Sequence, residues 1–161
     1  NFCAALAQRK IATDSVHPLY NGVKTAPEDA LAAMGAKRVL FMPGQSDVRA
    51  YTVEQFIDNL KLLIYQIKSK NPDIQIYLQS IPPGVANRYT KPTNVQLFSY
   101  NLAMYKLSLQ YGISFLDVAY PLRDEQGNLP DDLCLDPDTY GTHLNDAGCV
   151  QWLRFVQSRL P

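Results

Sequence analysis

Short apolar runs and segments with helical spacing alternate along this chain from residue 38 onward. Residues 38–42 form a nearly all-apolar run that ends at Pro43, which is typical of a strand buried on both faces. Residues 74–78 alternate apolar and polar positions, and residues 113–118 form another short apolar run. The pattern therefore predicts three strands.

Helices are predicted between and after these strands. Thr52, followed three residues later by Gln55, matches a capping box, and the proline within residues 71–73 ends the first helix. Further helices are predicted over 95–111 and about 146–160. The apolar face of the first helix follows helical spacing, at Val53, Phe56, Ile57, Leu60, Ile64 and Ile67.

This order of elements predicts an α/β fold. Strands and helices alternate and every connection is long enough for a crossover, so we expect a doubly wound parallel sheet in three layers, with helices on both faces. The length of 161 residues fits a single domain, 1–161. The chain starts without an initiator methionine, and we expect it to be an internal piece of a longer protein.

The N-terminal part has a weaker pattern. Residues 3–8 fit either the end of a strand or a short helix, and residues 11–16 are predicted as an edge strand. Pro27 is expected near the first turn of a helix. The polar residues 85–94 are predicted to form a loop long enough to be functional.

Composition excludes several classes of function. Fifteen basic and fifteen acidic residues cancel and form no basic stripe, so nucleic acid is not an expected partner. The longest apolar runs are far shorter than the roughly 20 residues of a membrane-spanning helix. Three cysteines without close spacing argue against a metal site; Cys134 and Cys149 fit either buried thiols or a disulfide across the intervening loop.

Candidate chemical groups follow the predicted strands. Residues 44–47, Gly-Gln-Ser-Asp, come directly after the first strand and Asp117 falls at the end of the third. A lone His143 precedes the last helix. Because the carboxyl ends of parallel strands meet at one edge of the sheet, we expect these groups to share a crevice there.

These motifs resemble the SGNH/GDSL ester hydrolases. Residues 38–47 look like a strand followed by the family's Gly-x-Asn-Asp block, and residues 140–145, Tyr-Gly-Thr-His-Leu-Asn, look like its last block, normally Asp-x-x-His. The resemblance runs from about residue 39 to residue 160 and depends on the order and spacing of the blocks. It implies a flavodoxin-like sheet, acyl-ester hydrolysis by a serine and no cofactor or metal.

The resemblance assigns roles to single residues. His143 matches the catalytic base, and Gly44 and Ser46 match the oxyanion positions, with Ser46 where the family has asparagine. Tyr140 stands where the family has the aspartate that orients the histidine. Asp136 or Asp138 could take that role if the loop bends differently.

The nucleophile has no convincing match. Asp14-Ser15 is similar to Gly-Asp-Ser only superficially, since no apolar strand precedes it, and the second oxyanion glycine of the family is replaced by Ala7 or Gln8. We therefore consider two hypotheses. Either the chain is an esterase scaffold with reduced or lost activity, acting on a small-molecule or carbohydrate ester, or it is a non-catalytic binding or structural module.

The resemblance also implies that a first, central strand is missing from this chain. A sheet open at its centre would expose unpaired edges. We therefore expect the gap to be filled either by chain preceding Asn1 or by self-association.

Overall fold

Short elements build the N-terminal quarter of the chain. The computed structural model describes residues 3–86 and 92–161. Helix α1 is Cys3–Ala7, strands β1, Leu19–Tyr20, and β2, Val23–Lys24, pair antiparallel, and helix α2 is Pro27–Ala33. The helical interpretation of residues 3–8 is thus confirmed, as is the helix that begins at Pro27.

The edge strand predicted at residues 11–16 is wrong, because turns and bends occupy this segment. The Ser15 amide donates to the Ala12 carbonyl at 3.1 Å, which closes a turn. Lys24 Nζ donates hydrogen bonds to the carbonyls of Ser15, at 2.6 Å, and His17, at 3.0 Å. The amide and carbonyl of Ser15 are therefore bound locally, in place of partners on a neighbouring strand.

The predicted parallel sheet is confirmed. Strand β3 is Arg38–Phe41, β4 is Gln75–Gln79 and β5 is Ser114–Leu116, in the spatial order β3-β4-β5 with both pairs parallel. The ends of these strands differ from the sequence prediction by one or two residues.

The three long helices also occur as predicted. Helix α3 is Val53–Lys70, α4 is Asn94–Tyr111 and α5 is Asp146–Arg159. The capping box of Thr52 and Gln55 is present at the start of α3. None of the helices in the described part of the chain is long and apolar enough to cross a membrane.

Helices cover both faces of the sheet, which confirms the α/β layout. Ile76 and Leu78 of β4 pack into the larger core with α1, α3 and α4. Tyr77 points to the opposite face and packs with Val156 of α5, since successive side chains of a strand alternate between faces. Trp152 Nε1 of α5 donates to Gln79 Oε1 at 2.8 Å on that face.

The expected gap in the sheet does not occur among the described strands, which lie side by side. In the described residues the outer edge of β3 pairs with no strand. Leu40 and Met42 beside that edge remain 37% and 44% exposed. Self-association therefore remains a prediction. Of the loop predicted at residues 85–94, residues 87–91 lie outside the described part of the chain.

Gly44 fixes the backbone directly after β3, and we predict that its replacement by alanine destabilises the fold. Its φ of +111° is open essentially to glycine alone, and an added Cβ would lie 2.7 Å from Ile81 Cδ1. We expect Gly44→Ala to lower the free energy of unfolding by roughly 2–4 kcal/mol, measured by urea denaturation.

Gly35→Ala is the matched control for this substitution. Gly35 also has positive φ, +61°, but an added Cβ would meet nothing within 4 Å. It should cost only about 1–2 kcal/mol. Equal losses for the two variants would contradict the close packing of Gly44.

Candidate active site

Asp47 anchors the loop that follows β3. The loop runs through Gly44 into a 3-10 turn, Asp47–Arg49, and the Asp47 side chain is fully buried behind it. Its Oδ1 accepts a hydrogen bond from the backbone amide of Cys3 at 2.6 Å, so the carboxyl joins the loop to the start of α1. Burial raises the pKa of Asp47, against the lowering effect of the amides of Cys3 and Ala4.

The segment that carries His143 is a closed hairpin, residues 134–144. Cys134 and Leu144 form an antiparallel bridge, and the Leu135 amide donates to the His143 carbonyl at 2.8 Å. At its tip, Gly141 adopts a left-handed φ of 62° and donates to the Asp136 carbonyl at 2.9 Å. The two sides of the hairpin therefore lie next to each other.

Asn145 ties this hairpin to helix α5. Its side chain accepts from the Gly148 amide at 3.0 Å, which caps the helix, and its Nδ2 donates to the Asp132 carbonyl at 2.7 Å. The position of His143 is thus fixed by a helix cap as well as by the hairpin.

The hairpin places the carboxyl of Asp136 against the ring of His143. Asp136 Oδ2 lies 2.7 Å from His143 Nδ1, and Oδ1 accepts from the amides of Thr142 and His143 at 3.3 Å. Burial alone would raise the pKa of Asp136, but the hydrogen bonds from His143 and the Cys134 thiol hold it at about 2. The carboxylate is therefore ionised across the working pH range.

This bond engages Nδ1 of His143 and leaves Nε2 as the nitrogen that can take up a proton. The His143 side chain is 59% exposed, whereas that of Asp136 is 16% exposed. A histidine held on one side by a carboxylate and open on the other has the arrangement of a general base.

Of the two aspartates proposed from the sequence, Asp136 makes this contact. Asp138 forms no hydrogen bond with His143 in the described structure. Tyr140 packs edge-on against the His143 ring, with centroids 5.7 Å apart. The aromatic ring supports the imidazole from the side but supplies no carboxylate.

His143 and the loop after β3 face one cleft of about 430 Å³. The arrangement agrees with the expectation that His143 lies near the loop of residues 44–47. Several of the lining groups are polar and one is a cation. The lining residues are Gln45, Ser46, Arg49, Tyr140, Thr142 and His143.

A second serine and histidine pair lies elsewhere. Ser15 Oγ is 3.1 Å from His17 Nδ1, but His17 is only 1% exposed and its Nε2 has no partner among the described residues. A histidine without access to substrate cannot act as a base, and Ser15 does not line the cleft of His143.

Ser80 and Asp117 serve the scaffold. Ser80 Oγ donates to Asp117 Oδ1 at 2.8 Å and accepts from the Ala119 amide at 2.8 Å, which joins the ends of β4 and β5. Asp117, which the sequence places at the carboxyl edge of the sheet, does not line the cleft of His143.

The cysteines are thiols in this structure. Cys134 is buried and Cys149 is exposed, and both are free, so the disulfide alternative is not observed. No group of three or more His, Cys, Asp or Glu side chains suited to a metal ion occurs in residues 3–86 and 92–161.

Solved structures with the same fold include enzymes of ester chemistry. A GDSL-like lipase from Bacteroides thetaiotaomicron has a TM-score of 0.67 and 16% identity, and the match covers 81% of this chain and 65% of that one. A carbohydrate esterase family 3 protein from Talaromyces cellulolyticus has a TM-score of 0.69 and 15% identity, with 99% of this chain and 66% of that one covered. A family 3 carbohydrate esterase from Clostridium thermocellum has a TM-score of 0.60 and 15% identity, with 81% of this chain and 59% of that one covered. This chain spans less than two thirds of the length of each.

No curated protein sequence matches the chain. A family model does match, that of the GDSL-like Lipase/Acylhydrolase family, over residues 7–149. The match includes the loop after β3 and the His143 hairpin, and it agrees with the resemblance inferred from the sequence. This chain therefore belongs to the GDSL-like lipase/acylhydrolase family.

Proposed function

We propose that this chain carries the base and the oxyanion loop of a serine ester hydrolase, and that by itself it turns over esters only weakly. The observation that carries the proposal is the 2.7 Å hydrogen bond between Asp136 Oδ2 and His143 Nδ1 at the edge of an open cleft. A serine hydroxyl near Nε2 would lose its proton to His143 while it attacks the ester carbonyl.

The loop after β3 supplies the groups for the developing oxyanion. Gly44 is buried directly after β3 and shapes the turn with its φ of +111°, and Ser46 lines the same cleft as His143. A serine hydroxyl is a shorter donor than the family's asparagine amide. Loss of one such donor typically lowers turnover about 10²–10³-fold, so Ser46 accounts for part of the expected weakness.

The lack of a nucleophilic serine in the cleft accounts for the rest of the expected weakness in turnover. Among the residues that line the cleft, the only serine is Ser46 at the oxyanion position. The other described serines, including Ser15 and Ser80, do not line it. The scaffold therefore needs a serine from outside the described cleft to complete the reaction.

The chemistry of the cleft favours an acylated carbohydrate as substrate. Polar groups from Gln45, Arg49 and Thr142 suit a hydroxyl-rich ligand, and the exposed Tyr140 ring offers a surface for a sugar ring. Two of the similar structures are carbohydrate esterases of family 3, which agrees with this choice.

A non-catalytic module is the alternative. It is favoured by the departures from the family pattern inside the chain, at Ser46 and Tyr140. The 2.7 Å contact between Asp136 and His143 supports Asp136 as the orienting residue in our proposal, so Tyr140 alone does not argue against catalysis.

We predict near-background hydrolysis of p-nitrophenyl acetate by the chain alone. Joining a strand that ends in Gly-Asp-Ser ahead of Asn1, together with Ser46→Asn, should produce turnover, because the change supplies a nucleophile and a better oxyanion donor. In that protein His143→Ala or Asp136→Asn should lower kcat about 10²–10⁴-fold.

Asp138→Asn is the matched control, since it removes a carboxyl from the same hairpin without a contact to His143. It should leave kcat within about twofold of the parent, well below the effect expected of a catalytic group. A folded fusion protein whose kcat is unchanged by both His143→Ala and Asp136→Asn would support the non-catalytic module instead.

We also predict that Asp136 makes the stability of the chain depend on acid pH. Its folded pKa of about 2 lies below the value of about 3.9 for a free aspartate. The stabilisation is therefore complete above pH 4 and is lost as the pH falls through 2.

Thermal unfolding followed by circular dichroism from pH 5 to pH 2 tests this effect. The Tm of the wild type should fall more steeply than that of Asp136→Asn, while Asp138→Asn should follow the wild type. Identical slopes for the wild type and Asp136→Asn would contradict an ionised Asp136 bound to His143.

A further inference from the structure

Helix α4 is apolar on two nearly opposite sides. One side faces the core through Leu97, Tyr100, Met104 and Leu107. The other side stays open to solvent in the described structure. We call it the outer stripe, and its members, with their exposed fractions, are Val95 (76%), Phe98 (59%), Leu102 (40%), Tyr105 (45%) and Leu109 (65%).

The outer stripe has the spacing of a helix-pairing seam. Its members follow one another at intervals of three, four, three and four residues. At 100° per residue they fall within an arc of about 80°, so they form one continuous ridge along the helix. An apolar repeat of this kind is the pattern by which a helix packs against another helix.

The stripe is also complementary to itself. A two-fold axis through Leu102 places Val95 opposite Leu109 and Phe98 opposite Tyr105 of a second copy, with the two Leu102 side chains facing each other. An isologous interface requires this match of one patch with itself. The antiparallel arrangement additionally opposes the dipoles of the two helices, which is favourable.

The residues beside the stripe permit the same pairing. Ser99 and Lys106 flank one side, and the half-buried Asn101 and the buried Ser108 lie on the other. In the antiparallel arrangement Lys106 faces Ser99 of the second copy, and Asn101 faces Asn101. No two like charges of α4 meet across the seam, so the charges of this helix do not oppose the approach of two copies.

We propose that a second copy of this chain docks antiparallel on the outer stripe of α4 to form a two-fold dimer. A groove of about 380 Å³ between the stripe and β5 widens the surface. Phe115 lines it and packs against Tyr105 with ring centroids 5.6 Å apart. Asp117 and Arg123 also line the groove, and large side chains of the second copy would pack against its apolar wall.

The area sets the expected strength of this dimer. The five half-exposed side chains of the outer stripe present on the order of 500 Å² of accessible surface per copy, and the groove adds to this area. The total lies near the low end of about 1,200 Å² for specific interfaces. We therefore expect a dimer with a Kd of about 1–100 μM.

Sedimentation equilibrium of the 161-residue chain tests the proposal. The wild type should show a monomer and dimer equilibrium in the micromolar range, and Leu102→Arg should raise Kd at least about tenfold by placing two cations face to face. Leu62→Arg on α3 is the matched control, because Leu62 is 42% exposed and should leave Kd unchanged.

Cysteine cross-linking tests the orientation in a Cys149→Ser background. Leu102→Cys should form a disulfide-linked dimer on mild oxidation. Val95→Cys should link to Leu109→Cys in a mixture but not to itself. A chain that stays monomeric at about 200 μM, a dimer unaffected by Leu102→Arg, or efficient linking of Val95→Cys to itself would each overturn the proposal.

Discussion

The hydrogen bond between the carboxylate of Asp136 and Nδ1 of His143 determines what the cleft can do. Without it the imidazole would be an exposed ring on a surface hairpin, free to turn. The bond selects one ring orientation and directs the other nitrogen toward the cleft. Two backbone amides also bind the carboxylate, so the residue that orients the ring is itself held in place.

The parallel sheet brings the Asp136 and His143 pair and the loop after β3 together. Strand β3 delivers Gly44 and Ser46 to the carboxyl edge, and the cap at Asn145 fixes the hairpin above the same edge. Asp47 holds the loop from behind through the start of α1. The site is therefore assembled from segments that are nearly 100 residues apart in sequence.

Much of the fold was predictable because it depends on local signals. The apolar runs and the capping box of Thr52 identify elements without any long-range information. Residues 11–16 were not, since they form turns and the Ser15 carbonyl is bound by Lys24, a contact that no periodicity reveals.

The site was predictable only in part, for the same reason. His143 and Gly44 stand in recognisable blocks, whereas the choice of Asp136 over Asp138 depends on how the hairpin pairs Cys134 with Leu144. The buried role of Asp47 depends on its approach to Cys3, 44 residues away. The outer stripe of α4 was not predictable, because apolar character alone does not show which of the two apolar sides of the helix faces the core.

The most direct test is the tautomer of the neutral His143 ring, measured by long-range ¹H–¹⁵N correlation spectra of the chain. We expect Nδ1 to carry the proton and Nε2 to be bare, and we expect Asp136→Asn to shift this balance while Asp138→Asn does not. A wild-type His143 protonated at Nε2, or one indifferent to Asp136→Asn, would contradict this expectation.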